Sequence, residues 1–299
     1  MDKEKLKGHA AMLGANVMWG LMAPIVKLVV AGGIVTPLLM TNFRIFGATA
    51  LFWITSMFLP GERVPWKDKA LMAGAGMLGI LFNQGCYVFG VGLTSPGEAS
   101  IITTTMPMWV MLLAWILLGE PITMKKAGGI ALGATGALML VLTASASSAG
   151  GDNPTMGDLL VLTAQISYAL YLTFYRNFIK KYSLVTLMKW MFTSASIVLL
   201  PFSLNTLLNT EWCRLGNTEI LGSAYVVFFA TYLAYICIMT GQKRLRPTLV
   251  GMYNYFQPIV ATGVALYLGL ESFTVWKVVA VCLIFTGVYL VAISKAKTN

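Results

Sequence analysis

Residues 95–141 read SPGEASIITTTMPMWVMLLAWILLGEPITMKKAGGIALGATGALMLV, and residues 246–292 read RPTLVGMYNYFQPIVATGVALYLGLESFTVWKVVAVCLIFTGVYLVA. Laid over one another without a gap, the second stretch lies 151 residues after the first. Pro96 then meets Pro247, Pro107 meets Pro258, and Glu120 meets Glu271. Thr123 meets Thr274, Lys126 meets Lys277, and Gly136 meets Gly287. Each copy reads as an apolar helix with a central proline, a short glutamate-bearing turn and a second apolar helix. A self-match at one fixed spacing marks a duplicated unit. In a membrane protein it points to a transporter built from two halves.

The membrane setting follows from composition. Of the 299 residues 58% are hydrophobic and only 11% charged. Soluble domains carry charge on about a quarter of their residues. Apolar runs of about 20 residues recur along the chain, each long enough to cross a bilayer core. A transmembrane barrel would alternate in shorter segments. The expected fold is an all-α integral membrane protein of ten transmembrane helices. The spans are placed at about 8–30, 38–59, 69–92, 96–118, 125–143, 157–178, 184–204, 220–241, 247–269 and 275–293. Residues 1–143 then form the first repeat, 144–156 a small, polar extracytoplasmic linker, and 157–299 the second repeat. The first run is long enough to span and continues into the repeat, which argues against a cleavable signal peptide.

Charge placement orients the chain. With the N-terminus inside, cytoplasmic segments hold sixteen of the 21 basic residues, among them Lys3, Lys67, Lys125, Lys180, Arg246 and Lys297. Positive residues stay inside, so both termini are expected in the cytoplasm. The bias also accounts for the net charge of +10 without any nucleic acid. Five helices per half place the second half upside down relative to the first. The result is a pair of inverted five-helix repeats.

The sequence Asn16…Trp19-Gly20, together with Pro107…Leu118-Gly119-Glu120-Pro121-Ile122-Thr123, resembles the drug/metabolite transporter superfamily, in particular its EamA group. The resemblance covers nearly the whole chain. The second copy departs from the turn motif, reading Gly269-Leu270-Glu271-Ser272. The resemblance implies a central cavity lined by the first, third, fourth, sixth, eighth and ninth helices, with alternating access between two sides.

Polar groups in a bilayer should face the bundle interior or a water-filled space. Asn16, Trp19, Asn83, Gln84 and Tyr87 fall in the first and third spans, and Thr103 in the fourth. Gln165, Tyr168, Tyr171, Tyr232, Tyr235, Asn254, Tyr255 and Gln257 fall in the sixth, eighth and ninth. As a set they are candidate cavity residues. The plainer alternative is that each amide joins two helices. Pro107 and Pro258 remove a helical hydrogen bond and are expected to kink their helices, freeing the carbonyls of Thr103 and Asn254; the kinks serve as gates or simply shape packing.

Four charges remain. Glu98 follows Ser95-Pro96-Gly97 as a capping box and is the acid nearest a span start; with no carboxylate at mid-span, these residues give no argument for proton coupling. Lys27 and Arg176 sit near helix C-termini, which favour cations. Arg44 lies about two turns into its span. For these three bases the choice is between snorkelling and anion recognition. Glu120 is expected to cap the next helix or pair with a lysine. Four scattered cysteines and the lone His9 offer neither a metal site nor a disulfide framework, so no metal and no cofactor are expected. An intramembrane enzyme would need a clustered acid, base or nucleophile. A scaffold would not need the duplication.

The reading is a secondary transporter, an exporter of an amino acid or amphipathic drug-like metabolite across the cytoplasmic membrane. A carrier of an anionic metabolite is the alternative. The partners are the substrate and the bilayer, and the chain acts as a monomer or homodimer. The glycine face of Gly128, Gly129, Gly133 and Gly136 serves close packing or a dimer contact.

Overall fold

The computed structural model describes residues 3–93, 102–143, 153–267 and 274–294. Among them every regular element is helical. In chain order these are α1 (Lys3–Ala31), α2 (Pro37–Met57) and α3 (Trp66–Gly76), then a π-helical segment (Met77–Phe82) that runs into α4 (Asn83–Leu93). α5 (Met106–Leu118), α6 (Met124–Thr143), α7 (Pro154–Phe174) and α8 (Leu184–Asn209) follow. α9 (Asn217–Val227) passes through a second π-helical segment (Phe228–Leu233) into α10 (Ala234–Arg244). α11 (Pro247–Met252), a 3₁₀ turn (Tyr253–Tyr255), α12 (Phe256–Tyr267) and α13 (Val275–Ala292) complete the order. Among the described residues six rods are long and apolar enough to cross a bilayer: Pro37–Met57, Trp66–Gly90, Thr155–Phe174, Leu184–Asn209, Asn217–Arg244 and Val275–Ala292. The chain is a multi-pass membrane protein.

Local chemistry sets the helix ends. The Thr36 hydroxyl accepts the Leu39 N–H at 3.2 Å, and Pro37 opens α2 with its fixed φ. Ser183 caps α8 by accepting from Thr186 N–H at 3.3 Å. Asn153 caps α7 through Met156 N–H at 3.2 Å, again with a proline next. α5 stops at Gly119, which takes a left-handed φ of 63°. Gly119 N–H donates to Trp115 O, and Glu120 N–H reaches back to Ala114 O at 3.1 Å. This glycine-terminated turn satisfies the last carbonyls and swings Glu120 inward.

The element bounds recur at the spacing of the sequence match. Residues 66–76, 77–82 and 83 onward in one half answer to 217–227, 228–233 and 234 onward in the other. α1 and α7 begin 151 residues apart, and so do α6 and α13. Packing recurs too. α4 lies on α7 as α10 lies on α1, and α5 lies on α7 as α12 lies on α1. Each of these contacts joins one half to the other.

The closest seam is α6 on α13, built on small residues. A Cβ on Gly287 would stand 2.4 Å from the Gly129 carbonyl, and one on Gly136 would stand 2.5 Å from the Ala280 carbonyl. The Tyr255 ring fills the space over Gly133. The glycine face is thus consumed within the chain, apart from Gly128, which faces open space.

Candidate functional site

Pro107 and Pro258 do more than kink a helix. On both sides the α-geometry stops and restarts. Residues 104–105 form a turn and α5 begins at Met106, with Pro107 in its first turn. In the other half the 3₁₀ turn Tyr253–Tyr255 precedes α12, with Pro258 in its third position. Proline supplies no N–H to the carbonyl four residues back, and the chain resolves this by a break. The Tyr255 hydroxyl enters that break and donates to the Thr104 carbonyl at 3.0 Å. Thr103 lies half-buried beside it.

The polar residues of the bundle assemble in three groups. In the first, buried Asn16 donates from Nδ2 to Met12 O at 2.8 Å and accepts from Gln257 Nε2 at 3.1 Å. Gln257 Nε2 also lies 3.5 Å from Asn254 Oδ1. In the second, Gln84 Nε2 donates to the Tyr235 hydroxyl at 2.8 Å. The Trp19 ring meets Tyr235 edge-on at 6.0 Å, and its Nε1 donates to the Ala230 carbonyl at 2.9 Å. In the third, Tyr171 donates to Gln242 Oε1 at 2.9 Å, and Gln242 Nε2 donates to the Tyr168 hydroxyl at 3.3 Å. Tyr235 lies within electrostatic range of both Tyr168 and Tyr171, which joins the second group to the third.

Other candidates stand apart. Asn83 donates to the Ala164 carbonyl at 3.1 Å, a bond between α4 and α7. Gln165 is buried on the same helix as that carbonyl. Tyr232 shares a 2.6 Å hydrogen bond with Thr55 and packs on Phe52, which reaches Tyr235 through Phe192. Tyr255 is almost fully buried and acts as filler and donor at the break.

The charges separate clearly. Arg44 Nε donates to the Thr231 hydroxyl at 3.1 Å, inside the second π-helical segment. Tyr87 and Tyr235 are its ionisable neighbours. Among the described residues it has no carboxylate within ion-pair reach. Arg176 behaves differently. Its Nη1 lies 3.0 Å from Glu120 Oε1, so the anion it holds is the protein's own. Glu98 and the Lys27 side chain lie outside the described residues.

Glu120 is the hub of a buried cluster. Its other oxygen meets Lys126 Nζ at 3.1 Å, and Thr248 donates to it at 3.3 Å. Lys126 and Glu120 are 1% and 3% exposed, so neither charge can relax into water. Arg246 stands close enough that Glu120 favours its charge, while burial pushes its pKa down. A second network lies at the same end. Asp68 accepts from Lys181 at 2.5 Å and from the Tyr182 hydroxyl, and Lys243 donates to the Tyr182 carbonyl. Each cluster ties residues of the first half to residues of the second.

Sequence reading missed Gln242, Thr231 and the long-range partners of Glu120, Arg176 and Thr248. Gln242 fell one residue past the expected end of its span, whereas α10 runs on to Arg244. Thr231 gains its place from a π-helical turn, which has no periodic signature. A separate cavity of about 520 Å³ is lined by Phe46, Gly47, Trp212, Ile220 and Val227. It is nearly all apolar and does not include the polar groups above.

The EamA-like transporter family matches this chain twice, over residues 6–142 and 155–293. An "Uncharacterized transporter" of Archaeoglobus fulgidus is 24% identical over 274 residues, covering 91% of this chain and 94% of the relative. A "Probable amino-acid metabolite efflux pump" of Salmonella typhimurium is 28% identical over 294 residues, covering 95% and 93%. A protein of known crystal structure superposes with a TM-score of 0.79 at 20% identity, over 98% of this chain and 99% of that one. At that identity the likeness concerns the fold alone.

Proposed function

Because the chain belongs to the EamA-like transporter family, we propose that it is a secondary exporter of a small metabolite, built as two inverted five-helix repeats. In this reading ten spans cross the cytoplasmic membrane with both termini inside, residues 1–143 and 157–299 are the repeats, and 144–156 link them. The substrate is an amino acid or a compound of similar size and amphipathic character. The efflux pump among the relatives favours that class.

One observation carries the reading. The hydrogen bonds Gln84–Tyr235 and Tyr255–Thr104 each join positions 151 residues apart. A residue that touches its own counterpart lies beside the two-fold axis relating the halves. For inverted repeats that axis lies in the membrane plane at mid-depth, where transporters of this architecture hold their substrates. Trp19, Gln84, Tyr87, Tyr168, Tyr171 and Tyr235 then line the path there. The breaks at Pro107 and Pro258 flank it as gate elements. The Glu120 and Asp68 clusters hold the cytoplasmic end shut in this conformer, and alternating access requires them to part.

The test is untargeted mass spectrometry of the medium. Cells making the unmodified chain are compared with cells making the Pro107→Ala/Pro258→Ala double variant at matched membrane levels. A compound that accumulates outside only with the unmodified chain is the expected result. Media of identical composition would overturn export through these gates.

A further inference from the structure

Arg44 is the residue the helix scaffold leaves unexplained. It sits two turns inside α2, and an intramembrane charge is costly unless something compensates it. Here the Nε bond goes to a neutral hydroxyl, Thr231, and the nearest ionisable neighbours are phenols. Its surroundings belong to the axis. Tyr235, one of those phenols, is hydrogen-bonded to Gln84, the counterpart of Tyr235 in the other half.

Two further features converge on this point. Arg44 is half-buried and Tyr87 keeps 37% of its surface accessible. Gln84 is 4% exposed, and its Oε1 is fully buried with no donor. A buried acceptor without a donor costs about 1–3 kcal/mol, and a ligand N–H removes that cost. The duplication does not require the cation: the counterpart of Arg44, 151 residues on, is Ala195.

We propose that Arg44 anchors the carboxylate of the transported molecule, and that Gln84 Oε1 accepts from the ammonium of the same molecule. Trp19 and Tyr235 face its apolar part. The substrate class is then a zwitterionic α-amino acid. Guanidinium suits this role because it pairs with a carboxylate through two parallel hydrogen bonds. This inference rests on the axial site proposed above and adds the chemistry of its occupant.

The experiment uses the full chain in lipid nanodiscs and follows thermal unfolding. The first panel is the twenty common L-amino acids with their methyl esters and the corresponding decarboxylated amines. The second is a set of neutral and cationic drug-like compounds, with inorganic phosphate as a separate arm. At least one amino acid is expected to raise the midpoint, and its ester and amine are not. Arg44→Gln should weaken that amino acid about 30-fold or more, as loss of a buried charge partner does. Arg44→Lys should keep the preference for acid over ester at lower affinity. Comparing acid, ester and amine on the unmodified chain needs no variant, so a poorly folding Arg44→Gln leaves the test intact. Esters or amines that bind as well as acids overturn the proposal, and so does phosphate binding in place of amino acids. No response to any amino acid overturns it as well. In that case binding from the second panel would leave the axial site standing with a different occupant.

Discussion

At the residue scale, the polar side chains of this bundle differ in how fully the protein itself occupies their hydrogen-bonding groups. Asn16 has both ends of its amide engaged by protein, and Tyr255 is buried with its hydroxyl on the Thr104 carbonyl. Gln84 and Arg44 each retain unused capacity at the axis. The sequence marked all four as polar within apolar spans but could not rank them. Ranking depends on partners 151 to 241 positions away. For Tyr255→Phe, loss of the bond at the helix break should cost about 1 kcal/mol, read as a lower unfolding midpoint in detergent. Transport per protein should fall further than stability does, since the bond joins the two helix breaks proposed as gates. A variant with full transport and a lowered midpoint would leave Tyr255 a packing residue only.

At the element scale, helix types and most bounds were legible, because span length and turn chemistry are local. The Thr36-Pro37 and Asn153-Pro154 starts and the Gly119 stop lie on the page as sequence. The breaks were only half legible. Proline announced a disturbance, but its form, a stop and restart with Tyr255 inserted, depended on the partner helix. The two π-helical segments were not legible, for they follow no spacing rule. They place functional groups nonetheless, since the Ala230 carbonyl meets Trp19 and the Leu78 carbonyl meets Ser167. The α6–α13 seam gives a sharp contrast. A methyl on Gly287 must displace the backbone of Gly129 and Gly133, whereas one on Gly128 meets nothing within 4 Å. Gly287→Ala should therefore destabilise by about 1–3 kcal/mol. Gly128→Ala should be neutral or slightly stabilising, helped by the better helix propensity of alanine. Equal midpoints for the two variants would contradict the packing described for this seam.

At the scale of the whole molecule, the two halves are joined by charge at one end. Glu120 links the α5–α6 turn to Arg176, beyond α7, and to Thr248 on α11. The pairing of a carboxylate with Lys126 was legible from their proximity in sequence. The long-range partners were not, because nothing local encodes them. Removing one partner strands the rest: Glu120→Ala leaves Lys126 buried and uncompensated, a loss of about 3–5 kcal/mol. Adding Lys126→Met should recover most of that loss, as a double-mutant comparison of unfolding midpoints would reveal. No recovery would mean that Glu120 acts mainly through Arg176. If the cluster also latches the cytoplasmic end, the double variant should expose that end to water-soluble reagents more than the unmodified chain does.

The central claim is that the halves are inverted, and one labelling experiment tests it directly. Lys125 and Trp276 are counterparts at the spacing of 151, and both are exposed at the start of α6 and α13. Single cysteines at these positions, in a background with Cys86, Cys213, Cys237 and Cys282 replaced by serine, would be treated in intact cells with a membrane-impermeant maleimide. Trp276→Cys is expected to label from outside, and Lys125→Cys only after the membrane is opened. Labelling of both positions from the same side would contradict the inverted duplication, and with it the placement of the site at mid-membrane.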